Sequence, residues 1–333
     1  MTTLLTGASG FVGSAVLRQL LDAGTEVRVL VRSTSSRSNL EGLPVEIVTG
    51  DLRDEVTLQR AIKGCNALYH VAADYRLWTP HPEELYQANV NGSRNLMHAA
   101  MDNQVDRIVY TSSVATLGLH KDGTPADETT PSTIDDMVGH YKRSKYLAEV
   151  AVQQMIDQDG LPAVIVNPST PVGPRDLRPT PTGRMVLDAQ CGRMPAFVDT
   201  GLNIAHVDDV ARGHLLAYEK GRIGQRYILG GEDMMLREIL VAIAGLTGQK
   251  APNIRLPLNL IFPVAWFSEA WARLTHGPEP RVTADGLRMA RKLMFFNSEK
   301  AQRELGYEPR PAVEALRDAI DWFQAHDYCQ RKL

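Results

Sequence analysis

Tyr141 and Lys145 have the side-chain types and the spacing for proton transfer. The run Tyr141-Lys142-Arg143-Ser144-Lys145 falls in a helical pattern, and a separation of four residues puts the phenol and the ammonium on one helix face. A free tyrosine titrates at about pH 10 and is a weak base at neutral pH. A nearby ammonium favours the phenolate, and the same hydroxyl can return its proton when a carbonyl is reduced. The pair by itself is also what an ordinary amphipathic helix can carry. A second group adds weight to the chemical reading. Val109-Tyr110-Thr111-Ser112-Ser113 reads as a strand running into hydroxyls at its C-terminal end, the edge at which α/β sheets bind ligands. A serine placed there can hydrogen-bond a substrate oxygen as charge develops on it. Turn formation is the other role open to Ser112 and Ser113.

The start of the chain carries a phosphate-binding signature. Thr6-Gly7-Ala8-Ser9-Gly10-Phe11-Val12-Gly13 follows an apolar run and opens a helical one. Gly7 permits a tight turn, Gly10 lets the backbone approach a pyrophosphate, and Gly13 lets the helix pack closely. The helix N-terminus then offers unpaired N–H groups and partial positive charge to the phosphates. Three glycines alone say little; their place between the first strand and the first helix points to a dinucleotide. The second strand ends Val31-Arg32-Ser33, with Arg37 nearby and no acid before Glu41. An NAD site usually has Asp or Glu here for the ribose 2′-hydroxyl, whereas a guanidinium can pair with a 2′-phosphate and stack on adenine. NADP is therefore expected ahead of NAD, with solvated loop arginines as the other explanation. Gly50-Asp51-Leu52 ends the third strand. Asp51 there can meet the adenine edge, N-cap the helix Glu55–Ile62, or do both.

These groups need elements that bring them to one place. Strands are expected at Thr3–Thr6, Glu26–Val31, Val45–Val48, Ala67–Val71, Arg107–Thr111 and Ala163–Asn167. Between them fall helical patterns at Gly10–Ala23, Glu55–Ile62, Tyr86–Asn103 and Gly139–Gln158. This alternation predicts an α/β fold: a Rossmann-type, doubly wound parallel sheet with helices on both faces. After Pro168 the texture changes to a loop-rich stretch holding Pro171, Pro174, Pro179 and Pro181. Arg226–Leu229 returns as a strand, and the tail from Leu236 is mostly helical. The expected division is a dinucleotide domain of residues 1–170 plus 201–230. A smaller, mostly helical substrate lobe would comprise 171–200 plus 231–333, with a ligand cleft between.

The bulk numbers exclude other classes. The 333 residues are 44% hydrophobic and 23% charged with a net charge of -3, an ordinary globular balance without the basic surplus of a nucleic-acid binder. No apolar run reaches the length of a membrane span, and the N-terminus lacks the basic start of a signal peptide. Cys65, Cys191 and Cys329 have neither zinc spacing nor an even count, so reduced, structural thiols in a cytoplasmic protein are expected. His81, His98, His120, His140, His206 and His214 show no metal-ligand spacing.

Together these pieces resemble the extended short-chain dehydrogenase/reductase superfamily, the NAD-dependent epimerase/dehydratase family. The likeness runs over nearly the whole chain. Beyond the motifs above it includes His70-Val71-Ala72-Ala73, Asn89-Val90-Asn91-Gly92, Asn167-Pro168 with Gly173-Pro174, and His206-Val207-Asp208-Asp209. The resemblance implies that Ser113, Tyr141 and Lys145 are catalytic and that Asn89 organises the site. It places Ala72, Ala73 and Thr170 against the cofactor, with Pro168 lining the nicotinamide pocket and Lys145 also holding the nicotinamide ribose. In detail the chain is similar to dihydroflavonol-reductase-like members. Ala72–Trp78 and Asn167–Pro171 look most like the bacterial hopanoid-associated sugar epimerase group.

The reaction expected is reduction of a carbonyl, or its reverse, with NADP(H). Ser113 is followed by Val114-Ala115-Thr116, without the acids that dehydratases and decarboxylases of the superfamily use. The segment before His206 lacks the arginine that nucleotide-sugar enzymes place there. A sugar epimerase with retained NAD is the alternative, and a non-catalytic NADP-sensing regulator the alternative of another class; such regulators typically lose the tyrosine or lysine. The resemblance also implies a homodimer through the helices near 86–103 and 139–158.

Two segments bear on the substrate. Asp74–Trp78 follows the fourth strand. In it Tyr75 and Arg76 are candidate contacts for an oxygen-rich group, and Trp78 offers either an apolar face or a buried anchor at the lobe junction. Leu256–Phe267, followed by Trp271, is apolar but interrupted by Pro257 and Pro263. It can fill the small lobe's core through Ile261, Phe262 and Phe267, wall an apolar cleft, or rest at the cytoplasmic face of the inner membrane. With the hopanoid likeness, these features make a partly apolar, lipid-linked small molecule, a polyol or sugar-like head on a terpenoid lipid, the expected substrate class.

Overall fold

Consecutive apolar residues in the first half signal strands covered on both faces, because side chains alternate between faces along a strand. The computed structural model, which describes residues 2–275, 280 and 282–330, realises this. In chain order the nucleotide half has β1 (Thr2–Thr6), α1 (Phe11–Asp22), β2 (Glu26–Val31), β3 (Glu46–Thr49), α2 (Glu55–Ile62) and β4 (Ala67–His70). There follow α3 (Glu83–Tyr86), a π-helical turn (Gln87–Asn91), α4 (Gly92–Asp102), β5 (Arg107–Thr111), α5 (Gly139–Asp159) and β6 (Ala163–Pro168). The remaining elements are β7 (Thr170–Val172), α6 (Pro181–Gln190), β8 (Ala196–Phe197), β9 (Gly201–His206), α7 (Val207–Lys220), β10 (Arg226–Leu229) and β11 (Glu232–Met235). The chain continues through α8 (Leu236–Thr247), β12 (Ile254–Arg255), α9 (Leu258–Thr275), α10 (Ala284–Met289), β13 (Leu293–Met294), α11 (Glu299–Leu305) and α12 (Ala312–Ala325).

Seven parallel strands form the main sheet in the order β10-β6-β5-β4-β1-β2-β3. The chain winds outward from β1 in one direction and then returns to β4 to wind outward in the other. The crevice between β1 and β4 is therefore the switch point where such sheets bind nucleotides. Leu5, Val29, Val109 and Val166 face the layer of α1 and α7. Leu4, Leu68, Ile108 and Ile165 face the layer of α2, α4 and α5.

The C-terminal lobe contains more sheet than its helical texture suggests. β9 is flanked by antiparallel β11 on one side and by parallel β13 and β7 on the other, and α6, α8 and α12 pack on this small sheet. The proline-rich stretch also contains α6, which starts on Pro181 with Thr180 capping Gly183 N–H at 3.1 Å. Proline suits a first helical position because that N–H has no intrahelical partner. The His206-Val207-Asp208-Asp209 segment ties the two sheets together. His206 caps α7 and meets Asp318 of α12 at 3.0 Å, and Asp209 accepts two bonds from Arg310.

The cysteine reading needs correction. Cys191 and Cys329 form a disulfide across 138 residues, with Cα atoms 5.6 Å apart, and Cys65 alone is free and buried. Trp322 and Phe323 in the last turn of α12 pack with Tyr328 just beyond it and bring Cys329 to the end of α6, a meeting that sequence separation hides.

Candidate active site

The end of β1 shows why glycine stands three times in eight residues. Gly7 has φ of 78°, and a Cβ on it would lie 2.7 Å from the Ala72 nitrogen after β4. A Cβ on Gly13 would lie 2.1 Å from the Gly7 carbonyl oxygen, so helix and turn are in backbone contact. Gly10 caps α1 without a side chain, no acid occupies the first turn, and the first helical bond is from Ser14 N–H to Gly10. The N–H groups of Phe11, Val12 and Gly13 are left for a ligand, with Ser9 half-exposed beside them. This cradle fits the pyrophosphate of a dinucleotide.

Around it, Arg32 and Arg37 are exposed and have no ion-pair partner among the described residues. Asp51 is held below the usual carboxylate range chiefly by the Arg53 guanidinium, which it grips at 2.9 and 2.7 Å; Arg32 adds to the effect. The N-cap of α2 is Asp54, not Asp51: Asp54 Oδ1 accepts from Val56 and Thr57 N–H at 3.1 and 3.4 Å. Leu52 packs against the first residue of α4, where a Cβ on Gly92 would come within 2.8 Å of it. Ala72 N–H donates to Thr6 Oγ1 at 3.1 Å, which locks the turn after β4 to β1. Ala73 is half-buried next to it. Pro168 is buried at the end of β6, and Thr170 is half-buried at the start of β7.

The other end of the site gathers at the C-terminus of β5. Ser113 follows the strand in extended conformation and caps a short turn, accepting from Ala115 N–H at 3.1 Å. Burial pushes the Tyr141 phenol up, and a hydrogen bond with Ser113 partly offsets this. Lys145, one turn further along α5, is 3% exposed and donates to the Thr111 carbonyl at 2.9 Å. Burial lowers its pKa to about 8, while Glu149 acts in the opposite direction. Burial and the Ser113 hydroxyl, rather than the expected downward pull of the ammonium, govern the phenol here.

Asn89 sits in the π-helical turn, which interrupts the helix expected over Tyr86–Asn103. Its Nδ2 donates to the Asp74 carbonyl at 2.8 Å and to Ser144 Oγ at 2.9 Å, and its Oδ1 accepts Asp74 N–H at 2.7 Å. Ser144 in turn donates to the Tyr141 carbonyl at 2.8 Å. Asn89 thereby couples the Asp74–Trp78 loop to α5.

Sequence reasoning missed the support beneath Ser113. Asn167 Nδ2 donates to the Ser113 carbonyl at 3.0 Å and to buried Glu149 at 2.8 Å. Glu149 also accepts from Thr116 at 2.9 Å and from Arg226 at 3.1 Å. The available signal was a glutamate four residues after Lys145, between Ala148 and Val152 on the buried side of the helix.

On the substrate side, Arg76 grips Asp74 and Glu84, with Nη2 contacts at 2.6 and 2.8 Å, so its fork is occupied in tying its own loop to α3. Tyr75 is exposed. Trp78 lines a cleft of about 380 Å³ together with Leu77, Leu85, His140, Trp266 and Glu269, at the junction with the C-terminal lobe. Its indole N–H is buried without a hydrogen-bond partner among the described residues. His140 directly precedes Tyr141, so the cleft reaches the first turn of α5.

Residues 3–230 match the model of the family described as "NAD dependent epimerase/dehydratase family". This chain belongs to that family. It is 44% identical over 328 residues to the "Putative dihydroflavonol 4-reductase" of Synechocystis sp., covering 97% of this chain and 95% of that one. It is 36% identical to "Sterol demethylase protein B" of Methylococcus capsulatus, covering 97% and 98%. The crystal structure of gox2253 superposes with a TM-score of 0.88 at 56% identity over 98% of each chain. The protein is thus an NAD(P)-dependent enzyme of the extended short-chain dehydrogenase/reductase type, and the glycine cradle at the β1–β4 crevice is where this family member would hold its cofactor.

Proposed function

We propose that the protein is an NADP(H)-dependent carbonyl reductase or alcohol dehydrogenase acting through Ser113, Tyr141 and Lys145. The substrate class is a polyol or sugar-like head on a terpenoid lipid, of the hopanoid kind. The observation that carries this reading is the Ser113–Tyr141 hydroxyl pair above Lys145, with no acid beside Ser113, at the same sheet edge as the glycine cradle.

In the reducing direction Tyr141 donates its proton to the substrate oxygen, and the Ser113 hydroxyl donates a second hydrogen bond to it. Burial keeps the phenol protonated at neutral pH, the form reduction requires. Lys145 is mostly ammonium at pH 7 with a pKa of about 8, and its charge favours the phenolate left after transfer. The bound nicotinamide would supply or accept the hydride. Asn89 holds the loop and Tyr141 in register, so the oxygen meets both hydroxyls at once. Arg32 and Arg37, free of ion pairs among the described residues, suit a 2′-phosphate.

A partly apolar substrate is supported by Leu77, Trp78, Leu85 and Trp266 in a cleft that also carries Glu269, Asp285 and Arg288, and by a relative whose name concerns sterols. The unpartnered Trp78 N–H would find its acceptor in an oxygenated head group. An NADPH-oxidation screen comparing hopanoid-type aldehydes and ketones with free sugars tests the reading, with products identified. Retained nicotinamide in the purified protein, together with interconversion of free sugars and no net NADPH consumption, would establish the epimerase instead.

A further inference from the structure

The outer face of α9 is apolar and uncovered. Phe262, Ala265 and Ala272 face inward and are buried. On the opposite side Leu260, Val264, Phe267, Trp271 and Leu274 recur at alternating spacings of four and three, and are between 59% and 79% exposed. That spacing puts all five in one stripe along a helix of about five turns. Ile254 and Leu256, just before the helix, are also exposed. Core packing therefore explains Phe262 but not Phe267. A monomer in water seldom leaves so continuous an apolar stripe bare.

The charge of the sequence that holds the stripe indicates what covers it. Residues 250–292 carry seven lysines and arginines against three acids, a net charge of +4 in a chain whose total is -3. Arg291 lies over the Phe262 ring at 4.8 Å and donates to Asn259 at 2.7 Å, which holds a cation beside the first turns of the helix. Lys292 is exposed nearby, whereas Arg288 is ion-paired with Asp285 at 2.6 Å. A second copy seated on this face would bring two such positive segments together, which disfavours a symmetric contact. An apolar stripe with tryptophan in a net-positive segment fits the interface of an anionic bilayer.

We propose that α9 docks the enzyme on an anionic phospholipid surface, lying in the interface plane with Leu260, Val264, Phe267, Trp271 and Leu274 in the acyl boundary. No helix among the described residues is long and apolar enough to cross a membrane, so the contact is peripheral. Trp266, on the same helix, lines the cleft that reaches α5, so a docked enzyme opens its cleft beside the lipid phase. This loading route rests on the apolar-substrate reading above; docking itself does not.

The test uses the full chain and vesicles of phosphatidylcholine, alone or mixed with phosphatidylglycerol, in a flotation assay without substrate. Wild type floats with the anionic vesicles and less so as salt rises, and brominated acyl chains quench its tryptophan fluorescence. Phe267→Glu with Trp271→Glu lowers the partition coefficient about tenfold or more, as expected when two inserted aromatics become charged. Cofactor binding by calorimetry stays unchanged, because neither residue lines the cleft or the cradle. Trp271→Phe keeps flotation but loses much of the quenching, which guards against misfolding of the double variant. No flotation with either vesicle overturns the proposal. So does a wild-type dimer in sedimentation that the double variant breaks, because a second copy would then own the face. Docking without turnover of any lipid substrate would refute the substrate reading and leave docking standing.

Discussion

Replacing Lys145 by methionine should stabilise the folded protein while removing its activity. An exposed lysine titrates at 10.5, whereas Lys145 is held at about 8 by burial. At roughly 1.4 kcal/mol per pKa unit, keeping this ammonium inside the fold costs about 3 kcal/mol at neutral pH. Methionine fills similar space without charge but forfeits the bond to the Thr111 carbonyl, a loss of about 1 kcal/mol. The net expectation is a gain of about 2 kcal/mol at pH 7. The pH dependence identifies the cause. Below pH 8 the lysine is protonated in both folded and unfolded chains, so the full cost is present. Between pH 8 and 10.5 the unfolded chain binds more protons, so wild-type stability rises with pH and the variant's advantage shrinks. Urea unfolding of both proteins at pH 7 and pH 10 reads this difference directly, and titrations common to both, such as that of Lys142, cancel. A variant less stable at pH 7, or a difference that does not change with pH, would refute the argument.

Further outcomes follow from other parts of the site. Arg32→Ala should weaken NADP binding about tenfold or more in calorimetry and leave NAD binding nearly unchanged, because only the phosphate uses the guanidinium; equal losses would remove the 2′-phosphate role. Trp78→Ala should raise KM several-fold with little change in cofactor affinity, and the reverse pattern would place the loop outside the substrate cleft. Cys329→Ser should lower stability by about 2–4 kcal/mol in urea unfolding, since the bridge closes a loop of 138 residues; no loss would mean that the pair is reduced in solution.

The parallel sheet was legible because Leu4 with Leu5, and Ile108 with Val109, place apolar side chains on both faces of short runs bounded by turns. The glycine cradle was legible because Gly7 and Gly13 stand where any Cβ meets backbone. The catalytic candidates were legible through helical spacing and a strand end. What escaped the sequence depends on distant partners. β8, β12 and β13 are two residues long and exist only through pairing, so no periodicity marks them. Cys191 and Cys329 meet through an aromatic cluster that spacing does not encode. Arg76 reads as a free fork until Asp74, two residues earlier, is seen to occupy it. Phe262 and Phe267 look alike in sequence, yet one is buried and the other bare, because only the packing of α9 chooses the face.

The central claim, that Tyr141 moves the proton at this site, is tested most directly by Tyr141→Phe. The ring keeps its packing and only the hydroxyl is lost. Turnover of a reducible substrate should fall about 10²–10⁴-fold, the usual worth of a positioned acid. NADP(H) affinity in calorimetry should stay within about twofold, since the glycine cradle and Arg32 are untouched. A variant that keeps most of its turnover would show that another group is the acid, and the account of Ser113, Tyr141 and Lys145 would fail.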